Sequence, residues 1–241
     1  MIKRPVRAVL LDVDGTLYSQ RILRGFMGLE LCTLPLSMHS YRSAYSIWRS
    51  LGYFRRVREE LRHLGEPEDD LATLQYTEAA KRAGEDPAQI ERVVAEWIYQ
   101  RPLKYLRFCK RRGLEAFLTF LENKGVQVGV FSDYPVFDKL QALGVSQRIS
   151  LTLCATDSEI NAFKPHPKGF LHACTLWGLS PEEVLYIGDR PEVDAVGAAN
   201  AGMPCALLRE QFRVRGYSKS SVNYVTFASF TGLQHAFTSD C

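Results

Sequence analysis

Short runs of apolar residues, each bounded by turn residues, alternate with amphipathic segments along most of the chain. Five such runs predict buried β-strands, and a weaker sixth run follows them. The runs are Ala8–Leu11, Val126–Phe131, Ser150–Cys154, Val184–Ile187, Cys205–Leu208 and Val222–Thr226. The helical patterns between them begin at a proline or after Gly113 and end before a glycine or within one turn of it, as helices do. These predicted helices are Leu114–Lys124, Pro135–Leu143, Pro167–Trp177 and Pro191–Ala201. The alternation predicts an α/β fold, with a parallel sheet covered by helices on both faces.

Residues 18–110 interrupt this alternation and show no convincing strand pattern. Apolar residues recur there at helical spacing in three places, which predicts a helix before Gly52, a helix before Gly84, and a helix between Asp86 and Pro102. The residues that carry the spacing are Tyr41, Ala44, Tyr45 and Trp48, then Leu71, Leu74, Tyr76 and Ala79, then Ile90, Val93, Val94, Trp97 and Ile98. We interpret this stretch as a helical insertion between the first two strands, with the aromatic residues in its core.

The chain of 241 residues is long enough for one large domain with an insertion. Its apolar and charged fractions, 46% and 24%, exclude a disordered or low-complexity chain. We therefore predict an α/β core domain from residues 1–17 and 111–241, and a helical domain from residues 18–110. Phe26–Met38 is unusually apolar, so it is a candidate subunit interface or pocket lining, with internal packing as the alternative.

The formal net charge of +3 is small and unevenly placed. Residues 18–63 carry eight basic and three acidic residues. This stretch is either a solvated helix face or a surface that attracts an anionic substrate. A nucleic-acid partner is not expected, because such proteins present a stronger and more continuous basic face.

Hydropathy and cysteine usage bear on location. No apolar run approaches the ~20 residues that span a bilayer, and residues 1–7 lack the core of a signal peptide, so no membrane partner is expected. The six cysteines are scattered without a Cys-x-x-Cys pair, which is typical of thiols in a reducing compartment. We therefore expect a cytoplasmic protein.

The first predicted strand leads directly into Asp12-Val13-Asp14-Gly15-Thr16. Open α/β sheets bind ligands in the crevice at the carboxyl ends of their strands, so Asp12 and Asp14 are candidate site residues. Two buried like charges this close together need a cation or a shared proton. Gly15 allows the chain to turn sharply as it leaves the sheet.

Polar residues also follow two other strands. Ser132 and Asp133 follow the second strand, and Asp189 follows the fourth, with Asp194 five residues later. Lys164 lies just before a predicted helix, in Phe163-Lys164-Pro165-His166-Pro167. The carboxylates suit Mg²⁺, while the lysine and the hydroxyl suit phosphoryl oxygens. For two of these residues a structural role is the alternative: Asp133 as a turn or cap residue, and Asp194 as a bonding partner of the backbone at a helix start.

Together these residues resemble the four motifs of the haloacid dehalogenase (HAD) superfamily, and the resemblance extends over the whole chain apart from the insertion. Asp12-x-Asp14-Gly-Thr resembles the first motif, Ser132 the second, Lys164 the third, and Gly188-Asp189-x-x-x-x-Asp194 the fourth. The resemblance implies a Rossmann-like parallel sheet of strand order 3-2-1-4-5. Residues 18–110 are then similar to the C1-type helical cap of the family.

The resemblance also implies a role for each residue. Asp12 would be the nucleophile that forms an aspartyl-phosphate, and Asp14 would act first as general acid and then as general base. The implied binding residues are Ser132, Asp133 and Lys164 for the phosphoryl group, and Asp12, Asp14, Asp189 and Asp194 for Mg²⁺. For Asp14 the implied ligand is the backbone carbonyl, and Asp194 would contact the metal either directly or through its neighbours.

The implied activity is the Mg²⁺-dependent hydrolysis of a small phosphomonoester. Asp14 argues against dehalogenation, because halide leaves without a proton. A phosphosugar mutase or another phosphotransferase of the family would share the same core and cap. A catalytically silent binding or regulatory module on this fold is a further alternative, because fold does not determine function. The identity of the substrate and the oligomeric state stay open.

Overall fold

A computed structural model of the chain describes residues 5–37, 41–209 and 222–239, with the side chains of all of these except 33–37, 41–43 and 236–239. The apolar segment Phe26–Met38 therefore lies partly outside the described residues. Within the described ranges, none of the helices combines the length and the apolar composition that crossing a membrane requires.

A single parallel sheet of six strands forms the centre of the molecule. Its strand order is β3-β2-β1-β4-β5-β6, which confirms the predicted order and adds the weak sixth strand at one edge. The strands are β1 (Ala8–Leu11), β2 (Gln127–Ser132), β3 (Leu151–Cys154), β4 (Val184–Gly188), β5 (Cys205–Leu208) and β6 (Val225–Phe227). All five pairings are parallel, so all the carboxyl ends lie along one edge of the sheet.

Both faces of the sheet are buried because successive strand residues point to opposite sides. In β1, Ala8 and Leu10 pack into one apolar cluster, whereas Val9 and Leu11 pack into a second cluster on the other face. None of these four residues is exposed to solvent. Burial on both faces explains why the strand sequences are continuously apolar rather than alternating.

Ten helices accompany the sheet in the described residues. Five of them lie within residues 18–110: α1 (Gln20–Ser37), α2 (Tyr41–Arg62), α3 (Leu71–Ala83), α4 (Pro87–Val94) and α5 (Leu103–Cys109). Five follow β2 or immediately precede it: α6 (Leu114–Asn123), α7 (Phe137–Leu143), α8 (Lys168–Trp177), α9 (Val196–Asn200) and α10 (Phe230–Ser239). Asp86 caps α4 at the start of the helix predicted between Asp86 and Pro102, since its side chain accepts the backbone N–H of Ala88.

Several predicted elements, including two helices and one strand, have different limits in the structure. Helix α2 continues through Gly52 to Arg62, because a glycine within a helix costs only about 1 kcal/mol and the helix packs against α3 and α4. The predicted helix Pro191–Ala201 begins with a π-helical turn, Pro191–Ala195. The sixth strand starts at Val225 rather than at Val222.

The chain enters and leaves the helical insertion (residues 18–110) through two paired segments. Tyr18 and Lys110 form an antiparallel bridge, the Ser19 N–H donates to the Cys109 carbonyl at 2.8 Å, and the Arg111 N–H donates to the Leu17 carbonyl at 2.9 Å. The insertion therefore begins and ends directly beside the loop that follows β1.

Candidate active site

The carboxyl ends of β1, β2 and β4 meet at one edge of the sheet and bring the predicted site residues together. Leu11 pairs with Val130 of β2 and Ile187 of β4, and the Asp12 N–H continues this pairing by donating to the Ile187 carbonyl at 2.8 Å. Ser132 ends β2 at the same edge. The adjacency of three strand ends thus explains how residues more than a hundred positions apart share one site.

Asp12 is buried, and both of its carboxylate oxygens accept hydrogen bonds. Oδ1 lies 2.7 Å from Lys164 Nζ, and Oδ2 accepts the Thr16 hydroxyl at 3.0 Å. Burial raises the pKa of Asp12 well above its ordinary value, and the carboxylates of Asp194 and Asp189 raise it further, although Lys164 acts in the opposite direction. The site therefore holds more negative charge than the lysine balances.

Lys164 is a buried ammonium group between two carboxylates. Its Nζ donates to Asp12 Oδ1, to Asp194 Oδ1 at 2.8 Å and to the Tyr186 hydroxyl at 2.9 Å. Burial lowers the pKa of Lys164, but Asp12 and Asp194 outweigh that effect and raise the pKa well above its ordinary value. The lysine therefore remains charged in the interior of the protein.

Three carboxylates at this edge form a donor set that fits a hard divalent cation. One oxygen from each of Asp12, Asp189 and Asp194 lies within 4.8 Å of the other two. Oxygen donors of this kind are what Mg²⁺ prefers, and a divalent cation would offset the charge that raises the pKa of Asp12. The residues present therefore fit the predicted metal.

Asp194 also bonds the backbone at the start of the following helical turn. Its Oδ2 accepts the N–H groups of Asp189 at 3.1 Å and Arg190 at 2.9 Å, while its Oδ1 is shared by Lys164 and Tyr186. Asp194 therefore makes the backbone contacts of its structural alternative and holds in place the loop that carries Asp189, while it also belongs to the set of three carboxylates.

Gly15 is required by a close approach as well as by its backbone angle. Its φ is +115°, and a Cβ atom there would lie 2.4 Å from Asp189 Oδ2. Any side chain at this position would displace the Asp189 carboxylate, because so short a separation is well inside van der Waals contact.

Asp14 lies beside Asp12 but is held by a different set of groups. Lys139 Nζ donates to Asp14 Oδ1 at 2.6 Å, the Tyr18 hydroxyl donates to the same oxygen, and the Ser132 hydroxyl donates to Oδ2 at 3.0 Å. Burial raises the pKa of Asp14, but the Lys139 charge and these hydrogen bonds lower it below its ordinary value. Asp14 is therefore an ionised carboxylate in this arrangement.

Lys139 and Tyr18 are site residues that the sequence analysis did not identify. A signal for Lys139 is present in the sequence, because it shares the buried face of a predicted helix with Val136, Leu140 and Leu143. A lysine on such a face needs a buried anion as its partner. Tyr18 carries no comparable signal, since aromatic residues are common at the ends of buried segments.

Asp133 reaches the same edge, yet its carboxylate contacts the helical insertion. Arg62 of α2 donates from Nη1 to Asp133 Oδ2 at 2.8 Å, and the Lys164 N–H donates to Oδ1 at 3.2 Å. Burial raises the pKa of Asp133, but Arg62, Lys164 and Arg58 lower it below its ordinary value. Of the residues predicted to bind phosphate, Ser132 and Lys164 contact Asp14 and Asp12, whereas the Asp133 side chain is engaged with Arg62.

A cavity of about 340 Å³ lies between the insertion and the core, beside the loop that follows β2. Its lining includes residues from both parts of the chain: Arg58, Gln75, Tyr99, Asp133, Pro135 and Thr156. A space of this size lies at the small end of the range for ligand pockets.

Comparisons with known proteins agree with this geometry. A family model described as haloacid dehalogenase-like hydrolase matches residues 6–202. The chain is 28% identical to a glyceraldehyde 3-phosphate phosphatase of Methanopyrus kandleri, over 85% of this chain and 84% of that protein. It is also 28% identical to a phosphoglycolate phosphatase of Nitrosococcus oceani, over 85% of each chain.

The fold is shared with solved structures of the same type. The crystal structure of a 2-haloacid dehalogenase from Pseudomonas syringae superposes with a TM-score of 0.66 at 19% identity, covering 98% of this chain and all of that one. The six-stranded parallel sheet with helices on both faces places the chain in the α/β fold class. The chain belongs to the haloacid dehalogenase-like hydrolase family, which confirms the resemblance carried by the four motifs.

Proposed function

We propose that this hydrolase is a Mg²⁺-dependent phosphatase that acts on a small phosphomonoester through an aspartyl-phosphate. The observation that carries the proposal is the buried Asp12 carboxylate at the end of β1, which lies 2.7 Å from the Lys164 ammonium. The acidic donor set and the phosphatases among the relatives support it. In this proposal residues 1–17 and 111–241 form the core domain, and residues 18–110 form a cap over its catalytic edge.

The reaction then proceeds in two displacements. An Asp12 carboxylate oxygen attacks phosphorus, the bond from phosphorus to the leaving oxygen breaks, and Asp14 donates the proton that makes this oxygen an alcohol. In the second displacement Asp14 accepts a proton from water as the water oxygen attacks phosphorus. The bond to Asp12 then breaks and inorganic phosphate leaves. Lys164 and Ser132 hold the phosphoryl oxygens while negative charge moves across them.

The residues that would hold Mg²⁺ are Asp12, Asp189 and the backbone carbonyl of Asp14, with Asp194 fixing the loop of Asp189. The metal would supply positive charge to the phosphoryl oxygens. Asp14 is ionised when held by Lys139, Tyr18 and Ser132, so it must take up a proton before it can act as an acid. The leaving oxygen of a bound substrate would compete with these three groups for contact with the Asp14 carboxylate.

The cavity beside Asp133 supports a small leaving group. It is lined by polar side chains of the insertion, among them Gln75 and Thr73, together with Tyr99. We propose that the part of the substrate beyond the phosphorus occupies this cavity, because it opens between the cap and the loop that carries Ser132. We further propose a cytoplasmic location, which the free thiols of Cys109, Cys154, Cys174 and Cys205 support.

The test is the hydrolysis of p-nitrophenyl phosphate with Mg²⁺ and again after chelation with EDTA. Repeated turnover is expected with Mg²⁺, and a loss of at least about a hundredfold with EDTA, because the carboxylates alone repel an anionic ester. Readdition of Mg²⁺ should restore the rate. Turnover that is insensitive to EDTA would contradict the metal assignment, and a single labelling event without turnover would contradict the phosphatase.

Replacing Asp14 or Lys139 should have effects that depend on the leaving group. We expect Asp14→Asn to slow the hydrolysis of alkyl phosphates by about a hundredfold or more, and that of p-nitrophenyl phosphate much less, because nitrophenolate leaves without a proton. Lys139→Met should shift the same ratio in the same direction, since Asp14 loses the ion pair that holds its carboxylate in place, and this loss of position should outweigh its easier protonation. Lys81→Met, a surface lysine paired with Glu78, is the control. Equal losses on both ester types would contradict the acid role.

A further inference from the structure

Two arginines on successive turns of α2 are buried against the core. Arg58 and Arg62 lie four residues apart, so they share one face of the helix. Arg58 is 2% exposed, and the Arg62 side chain is 7% exposed. Buried arginines are rare unless their charge and their N–H groups are engaged. The face that carries them packs against the loop that follows Ser132 and the loop that holds Lys164.

Asp133 connects this face to both loops. Its carboxylate binds Arg62 through Oδ2 and the Lys164 N–H through Oδ1. Its backbone carbonyl accepts Arg58 Nη2 at 2.7 Å, and Arg62 also donates to the Lys164 carbonyl. The loop after β2 and the loop of Lys164 are therefore joined to each other and to α2 through one buried aspartate.

The Arg58 guanidinium lies between two aromatic rings, one from each loop. Its central carbon is 4.0 Å from the ring centroid of Tyr134 and 4.2 Å from that of Phe163. These rings flank Ser132 and Lys164 in sequence. Cations on aromatic faces are stabilised most when they are desolvated, as here. The Arg58 guanidinium thus fixes the distance between the two loops.

We infer that Arg62 and Asp133 are positioning residues, which place Ser132 and Lys164 correctly for the phosphoryl group only when helix α2 is seated on the core. This inference rests on the proposed function for its effect on rate, while the coupling of the two loops rests on geometry alone. In this arrangement the side chain of Asp133 contacts Arg62 of the cap. A direct contact between this carboxylate and phosphate is opposed by like charge and by its existing ion pair.

The experiment compares Arg62→Met, Asp133→Asn and the double variant with the natural chain. Arg82→Met is the matched control, because Arg82 forms an ion pair with Glu60 of α2 but lies at the surface. Hydrogen exchange is followed in peptides covering residues 131–137 and 160–167. Faster exchange in both segments is expected for Arg62→Met and for Asp133→Asn, with β1 and β4 unchanged. Unchanged exchange in either segment would overturn the coupling, and so would a rise across the whole core.

Rates with p-nitrophenyl phosphate supply the second readout. We expect kcat to fall by about a hundredfold in each single variant, with KM changed far less, because misplacement by about 1 Å is that costly. The double variant should lose far less than the product of the two single losses, since both changes break the Arg62–Asp133 contact. Multiplicative losses, or an unchanged kcat, would overturn the positioning role. If the natural protein itself shows no turnover, while the variants still exchange faster in both segments, the coupling is supported and the proposed function is refuted.

Discussion

Asp12→Asn is expected to abolish repeated turnover while leaving the protein folded. The amide cannot attack phosphorus, so kcat should fall by at least about ten-thousandfold. The fold should survive because Lys164 keeps Asp194 and Tyr186 as partners, at 2.8 and 2.9 Å. The substitution also removes one of the mutually repelling carboxylates, which offsets the lost ion pair. We expect the free energy of unfolding to change by no more than about 1 kcal/mol.

The rate of p-nitrophenyl phosphate hydrolysis and a urea unfolding curve measure the two parts of this result. Asp70→Asn is a control with the same chemical change, because Asp70 caps α3 at the surface and asparagine caps helices equally well. That variant should keep the natural rate. Appreciable multiple turnover by Asp12→Asn would show that another group is the nucleophile.

Lys164→Met should cost both stability and activity. Its Nζ is the shared partner of two carboxylates that are at most 7% exposed, and methionine would leave them facing each other without it. Removing one member of a buried ion pair typically lowers the free energy of unfolding by about 3–5 kcal/mol. The rate should fall by at least about a thousandfold, because in the proposed mechanism Lys164 is the positive partner of the phosphoryl group.

Urea unfolding with metal chelated checks the stability, with Lys168→Met as the control. Lys168 pairs with Glu66, but their side chains are 33% and 47% exposed, so its loss should cost less than about 1 kcal/mol. The loss of unfolding free energy in Lys164→Met should become smaller as the pH falls below the raised pKa of Asp12, because a protonated carboxyl no longer requires the ammonium as its partner. Equal losses of unfolding free energy in Lys164→Met and Lys168→Met would contradict the conclusion that burial makes the ion pairs of Lys164 more important for stability.

The helical insertion shows where local patterns lose their predictive value. Spacing of apolar residues predicts the helices around Leu71 and Ile90, and Asp86 marks the start of one of them. The extent of α2 beyond Gly52 depends on its packing against α3 and the core, which no local signal reports. For the same reason, the sequence placed Arg58 and Arg62 in a basic stretch that was either a solvated helix face or a surface for an anionic substrate, whereas the structure buries both.

The sequence by itself determined the strands of the sheet and the edge at which the candidate site residues lie, and the resemblance of its motifs to the family supplied the strand order. Parallel strands share one carboxyl edge, so Asp12, Ser132 and Asp189 had to meet once their strands were identified. The tertiary structure alone decided which charge neutralises which. Lys139 reaches Asp14 across 125 positions, and Arg62 reaches Asp133 across 71. Such partners are selected by burial, because a desolvated charge is stable only beside its counter-charge, and burial exists only after the chain has packed.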